Sequence, residues 1–203
     1  MEHITNQILL RGSLLSLPEF SHVNHGRRFF RFFLEVPRLS GAVDILPIIT
    51  EEKILNTFDL SGGEMLTITG QIRSHNVNGE TRRHLLIFVF AVSITAENGD
   101  PVNEVILEGP ICREPTYRRT PLGREICDIM LAVPRAFRRA DYLPCILWGR
   151  TAQEASQCHI RDKIRIHGRL QSRIYTKITE AGAEERTAYE ISALSAEIPE
   201  DLF

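Results

Sequence analysis

The sequence predicts an all-β chain built as two tandem copies of one five-stranded barrel, each with a short helix between its third and fourth strands. Two observations carry this prediction. Apolar, β-branched stretches of strand length recur along the chain, broken by Gly, Pro, Asn and Asp clusters that suit turns. The glycines, prolines and strand residues of the first half then reappear in the second at a nearly constant spacing.

Gly12 and Gly109 lie 97 residues apart, as do Pro18 and Pro115, Gly26 and Gly123, and Pro37 and Pro134. Asp44 and Pro47 fall on Asp141 and Pro144 at the same spacing. Asn6-Gln-Ile-Leu-Leu-Arg-Gly12 mirrors Asn103-Glu-Val-Ile-Leu-Glu-Gly109, and Leu34-Glu-Val-Pro-Arg38 mirrors Leu131-Ala-Val-Pro-Arg135. Gly70 and Gly168 match at 98, so one residue has been gained or lost between them. These are the residue types that backbone geometry demands of two copies of one fold. Module one is expected over 1–96 and module two over 102–203, with Ala96 to Pro101 a short polar linker.

In module one, strands are expected over Asn6–Leu15, Phe29–Val36, Asp44–Thr50, Met65–Ser74 and Arg82–Ile94. The segment PEFSHVNHG reads as a loop holding His22 and His25, Glu51–Asp59 as a short helix, and Asn76–Gly79 as a turn. In module two, Asn103–Cys112 is a strand whose Gly109 suits a bulge or bend, and Arg113–Gly123 is turn chemistry. Ile126–Val133 alternates as a half-buried strand, and Pro134 is expected to stop it. Tyr142–Trp148, a helix at Thr151–Cys158, and strands at Lys163–Lys177 and Thr187–Ala196 complete the copy, with ITEAGAEER as an acidic loop. Five strands with a helix after the third is the order of an OB barrel.

A net charge of −2 conceals an asymmetry. Pro101 to Ile178 holds 14 Arg or Lys against 8 Asp or Glu, whereas Thr179 to Phe203 holds Arg186 against 7 acids. A basic second module therefore runs into an acidic end. Most of the bases are Arg, which suits phosphate forks and stacking. Cys112, Cys127, Cys145 and Cys158 show no CxxC spacing, so they read as buried small apolar residues of a reducing compartment and not as a metal site. No run is long and apolar enough for a bilayer, and the N-terminus lacks a signal-peptide layout, so the cytoplasm is the expected location. GxxxxGK[ST], HExxH and GxSxG are absent, and paired acids such as Glu51-Glu52 sit at a solvated helix start. No enzyme activity, metal or cofactor is expected.

Four aromatic residues of module two stand among basic ones: Phe137, Tyr142, Trp148 and Tyr175. Phe137 lies between Arg135 and Arg138-Arg139, and Tyr175 between Arg173 and Lys177. Rings flanked by guanidinium groups suit single-stranded nucleic acid, because bases stack on the rings while Arg neutralises phosphate. Strand aromatics also fill cores. Trp148 is the best suited of the four to partial burial, and Phe137 the least.

Module two resembles the bacterial single-stranded DNA-binding proteins. The likeness rests on Asn103–Gly109, Arg113-Glu-Pro-Thr-Tyr-Arg-Arg-Thr-Pro-Leu-Gly123, Leu131-Ala-Val133, Trp148-Gly-Arg150 and Gly168-Arg-Leu-Gln-Ser-Arg173. It covers essentially the whole module. The resemblance implies base stacking on Phe137, Tyr142, Trp148 and Tyr175. It implies backbone contacts for Arg118, Arg119, Arg135, Arg138, Arg139, Arg150, Arg169 and Arg173. Module one shares the framework but not the stacking residues, since Phe137, Tyr142 and Trp148 fall on Ser40, Ile45 and Glu51. It more weakly resembles primosomal replication protein N, a dimeric OB protein of replication restart. Arg27, Arg28 and Arg31 of its RRFFRFF run offer a further basic and aromatic surface, of which at most half the rings can be free.

The function expected is sequence-tolerant single-stranded DNA binding in replication, recombination or repair, by a cytoplasmic, nucleoid-associated protein. The alternative is a replication-restart accessory protein acting mainly through protein contacts. Where the family assembles four OB folds, two copies of this chain would suffice, so a homodimer is expected. The acidic end with Glu200, Asp201, Leu202 and Phe203 resembles the family's partner-recruiting tip without its long linker.

Overall fold

Alternation of buried and open side chains builds this molecule strand by strand. In β1 (Asn6–Leu14), Asn6, Ile8, Leu10, Gly12 and Leu14 turn inward while the residues between them stay partly open. The computed structural model describes residues 4–56, 60–78, 83–179 and 182–198. The tail residues Glu200 to Phe203 lie outside them. The remaining elements are β2 (Glu19–Asn24), β3 (Arg27–Pro37), β4 (Val43–Glu51), α1 (Glu52–Leu55), β5 (Met65–Asn78) and β6 (Arg83–Ala96). The second half repeats them as β7 (Val102–Pro110), β8 (Thr116–Arg119), β9 (Glu125–Arg135), β10 (Arg139–Trp148), α2 (Gly149–Ala155), β11 (Lys163–Thr179) and β12 (Gly182–Glu197).

Both halves are OB barrels. In the first, β1 pairs with β3 and β5, β3 with β4, β5 with β6, and a parallel contact of Ile48 with Val89 joins β4 to β6. In the second, β7, β11, β12, β10 and β9 follow the same path, with Cys145 beside Ile191 as the parallel contact and an Ile111–Leu131 bridge closing the ring. Leu10, Leu34, Ile48 and Ile72 fill one barrel, and Leu107, Leu131, Leu143 and Leu170 the other. Cys127, Cys145 and Cys158 are buried, and burial pushes the Cys127 thiol up to about 11.

The repeated glycines mark where backbones cross. A Cβ on Gly12 would stand 2.2 Å from the Glu35 carbonyl oxygen, and one on Gly109 2.6 Å from that of Ala132. Gly70 and Gly168 sit at register shifts in their hairpins, so in module two the bulge falls at Gly168 and Gly109 serves the close approach.

The barrels share one twelve-stranded sheet because β1 and β7 pair antiparallel, Asn6 opposite Leu107 and Leu10 opposite Asn103. Two-fold pseudosymmetry runs through this seam. The Asn6 side-chain amide both donates to and accepts from the Ile72 backbone at 2.8 Å, and Asn103 does the same to Leu170 at 2.7 and 2.9 Å. A reciprocal clasp joins the modules further out. Asp44 of module one accepts from the Ser172 N–H at 2.6 Å, and Asp141 of module two accepts from the Ser74 N–H at 2.8 Å. Both aspartates are fully buried and neutralised by arginine, Arg38 on Asp44, Arg73 and Arg135 on Asp141.

Several sequence expectations change. The loops PEFSHVNHG and Arg113–Gly123 contain edge strands, β2 on β3 and β8 on β9, so each barrel carries an added sixth strand. His22 therefore lies in a strand, stacked on Phe29 at 4.9 Å. Pro134 does not stop β9; it pairs opposite Ala140 only, so its missing N–H breaks no ladder on the other side. ITEAGAEER is mostly hairpin, with Thr176 opposite Glu185 and Lys177 opposite Glu184, a cross-strand charge match that a composition reading takes for a loop. Likewise β5 runs on through Asn76, Val77 and Asn78, which pair with Leu85, His84 and Arg83. α2 begins two residues earlier and ends three residues earlier than expected; α1 runs from Glu52 to Leu55, and the expected stretch from Thr57 to Asp59 lies outside the described residues.

Candidate nucleic-acid interface

Strand register places the aromatic candidates. In β10, Leu143, Cys145 and Leu147 are buried in the barrel, so Tyr142, Pro144, Ile146 and Trp148 point outward. Ile146 pairs with Ser192, Ser192 with Arg169, Ala188 with Arg173, and Arg186 with Tyr175. Paired residues share a face, so Tyr142, Trp148, Arg169, Arg173 and Tyr175 lie on one outer surface. Arg118 joins them through Ile126, which pairs with both Arg118 and Trp148. Tyr142 and Trp148 stand about 20 Å apart along β10, at about 3.3 Å per residue.

The rings are held for stacking. The Trp148 indole N–H donates to Ser192 Oγ at 3.1 Å, fixing the ring while 36% of the residue stays exposed. The Tyr142 backbone N–H donates to Ser74 Oγ at 2.7 Å, so module one's hairpin braces this strand of module two. The Arg173 guanidinium lies 5.7 Å from the Tyr175 ring centre. Phe137 sits at the tip of the β9–β10 turn, 92% exposed, with φ of 61° and Arg138 beside it at 55°. Two consecutive non-glycine residues in the left-handed region cost energy, and such strain collects at binding sites.

Acids that the sequence reading passed over stand among the arginines. Asp128 accepts from Arg118 at 2.6 and 3.3 Å, which holds that guanidinium above its ordinary pKa. Glu190 lies 3.7 Å from Arg173 and accepts from Gln171 at 2.9 Å. The Arg169 Nε is buried without a hydrogen-bond partner among the described residues.

Other candidates lie elsewhere. Arg119 points to the opposite side of β8 from Arg118 and donates to Glu125 at 3.0 Å, near Tyr117 and Gln153. Arg135 turns toward the clasp, 3.4 Å from Asp141, with Arg139 opposite it in the ladder. Arg150, on α2, pairs with Glu154 at 2.8 Å, and Arg138 stands on the exposed turn. In module one, Arg27 meets Glu51 at 3.5 Å, Arg28 meets Glu52 at 2.7 Å, and Arg31 meets Glu19 at 3.5 Å.

Module one is not short of outward rings. They occupy other positions: Phe33, Phe88 and Phe90, with Phe29 6.1 Å from Phe90 and the Arg73 guanidinium 5.9 Å from the Phe90 ring. A search at a constant spacing misses them. The period-two placing of Leu86, Phe88 and Phe90 is the signal that reveals them.

A model of the single-strand binding protein family matches residues 102–198. Single-stranded DNA-binding protein B of Bacillus subtilis is 35% identical over 80 residues, which cover 36% of this chain and 71% of that protein. The chain spans about half the length of other curated relatives it matches. Among solved structures, the wild-type single-stranded DNA binding protein of Thermus aquaticus shares the fold, with a TM-score of 0.78 and 22% identity over 96% of this chain and 92% of that one. The N-terminal domain of the PriB protein of Thermoanaerobacter tencongensis is 37% identical over 46% of this chain and 98% of that one, with a TM-score of 0.40.

Proposed function

The chain belongs to the single-strand binding protein family, and from that premise we propose that it coats single-stranded DNA with little regard to sequence, in replication, recombination or repair. The observation that carries the reading is the single outward face that gathers Tyr142, Trp148 and Tyr175 with Arg118, Arg169 and Arg173. Bases stack on such rings at about 1–3 kcal/mol each, whatever their identity, because every base has a π-face. The arginines replace counterions along the phosphates. Phe137 and Arg138 extend the path at the β9–β10 turn, while Arg119, Arg135, Arg139 and Arg150 act from its margins.

The protein works by binding, without catalysis, in the cytoplasm. Its units are 1–96 and 102–203, and two chains assemble four OB folds. Light scattering on the eluting protein should give the mass of a dimer; a monomer at micromolar concentration would remove the assembly from this reading.

The deciding experiment is quenching of Trp148 fluorescence by an oligo-dT of about 35 nucleotides at two salt concentrations. Saturating quenching, with a logarithmic salt slope near −0.7 per phosphate contacted, is the expected result. If neither quenching nor a mobility shift occurs at low salt, DNA coating is excluded and the restart-accessory role, acting through protein contacts, takes its place.

A further inference from the structure

We infer that Ser74 of module one is a positioning residue for the Tyr142 ring of module two. Module one thereby tunes the affinity of a face it does not form. This deepens the single-stranded DNA reading and rests on it. The need for a brace lies in β10. That strand pairs with β9 from Arg139 to Trp148, but among the described residues it meets β12 only at Cys145 and Ile146. The Tyr142 stretch therefore has a ladder on one side and an open edge on the other. Ser74 fills that edge, its hydroxyl oxygen accepting from the Tyr142 N–H at 2.7 Å. Its own N–H donates to the buried carboxylate of Asp141 at 2.8 Å, and Arg73 beside it reaches that carboxylate at 3.0 Å. Two successive residues of module one thus grip the ring-bearing residue and the one before it.

The pseudosymmetry separates this role from simple support. Ser172 does the same for module one, accepting from the Ile45 N–H at 3.3 Å and donating its own N–H to Asp44 at 2.6 Å. The brace there ends on an isoleucine, which offers a base no π-face. Trp148 is held within its own barrel, by Ser192 Oγ at 3.1 Å. Tyr142, 45% exposed, instead has its backbone held from the other module. A ring on a loose strand edge must be ordered when a base stacks on it, at a cost in affinity that a fixed ring avoids. Module one supplies that fixing without touching the DNA strand at this point.

The test measures, by anisotropy, the affinity of the full chain for a labelled oligo-dT several OB site sizes long, roughly 4–16 nucleotides each. Trp148 fluorescence is followed in the same samples. Ser74→Ala should weaken binding about threefold to tenfold, the net worth of one hydrogen bond. Ser74→Thr, which keeps the hydroxyl, should restore it. Trp148 quenching at saturation should match the unmodified chain, because the barrel and its far ring are intact. Ser172→Ala, the same loss where no ring follows, should leave affinity unchanged. In a Tyr142→Ala chain, adding Ser74→Ala should weaken binding no further, since both changes remove one effect. An equal further loss in that background, or an equal loss from Ser172→Ala, would make Ser74 a general support and overturns the inference. Unchanged affinity of Ser74→Ala, or a Trp148 signal that shifts with it, overturns it too. Each of these leaves the DNA reading standing, whereas failure of the unmodified chain to bind removes both.

Discussion

Module two presents Tyr142 and Trp148 on its outer face where module one, at the same places in the same fold, presents Ile45 and Glu51. The positions that agree are those the architecture uses. Asn6 and Asn103 stitch β1 and β7 to the neighbouring hairpins, Asp44 and Asp141 clasp the opposite module, and Gly12 and Gly109 let strands cross. The outer face closes no barrel and satisfies no buried group, so its residues are free to diverge. Framework is shared between the modules, and chemistry is not.

The sharpest way to break the pseudosymmetry is to cut the clasp on one side. Asp141→Ala leaves Arg73, Arg135 and the Ser74 N–H without their carboxylate and should cost about 3 kcal/mol. Asp44→Ala, which releases Arg38 and Ser172, should cost a similar amount. Urea midpoints of the two variants decide this; a clear inequality would show that one half of the clasp dominates.

Next in size is the face itself. Trp148→Ala should lose about 1–3 kcal/mol of single-stranded DNA affinity, read by a label on the DNA because the intrinsic fluorophore is gone. Ile45→Ala, at the position of Tyr142 in module one, should change affinity far less. Comparable losses would mean that both faces bind through equivalent positions.

How much of this was legible beforehand follows from the same division. Gly, Pro and Asn answer to backbone rules that read directly from sequence, so the two-barrel plan was visible at a fixed spacing. The edge strands β2 and β8 were not, because short strands with no buried residue lack the alternation that marks a strand. The acidic hairpin of β11 and β12 looked like a loop because its pairing partners are set by register, not composition. For the site, Tyr142, Trp148, Tyr175, Arg118, Arg169 and Arg173 converge, whereas Arg119 falls on the far side by one residue of alternation and Arg135 is drawn off by a buried aspartate. Asp128 and Glu190 escaped notice because opposing acids become neighbours only through pairing.

Glu190→Gln sharpens that last point. Removing the carboxylate 3.7 Å from Arg173 frees the guanidinium for phosphate while Gln keeps a polar group for Gln171. DNA affinity should rise by less than about 1 kcal/mol, with the salt slope steeper by about 0.7. An unchanged slope would mean that Arg173 touches no phosphate.

The smallest difference between the modules lies at the turn before β5 and β11, where Glu64 corresponds to Asp162. Glu64 accepts from the Ser61 hydroxyl and N–H at 2.6 Å and from the Gly62 N–H at 2.9 Å, bonds that hold its carboxyl down to about 2. Asp162 accepts from the His159 N–H at 2.6 Å. A carboxyl with a lowered folded pKa adds stability that is complete above its ordinary value near 4.5 and fades as pH falls toward 2. Glu64→Gln should therefore lower the thermal midpoint at neutral pH, and the gap to the unmodified chain should close between about pH 4.5 and 2. A gap independent of pH would assign the turn's stability to shape instead of charge.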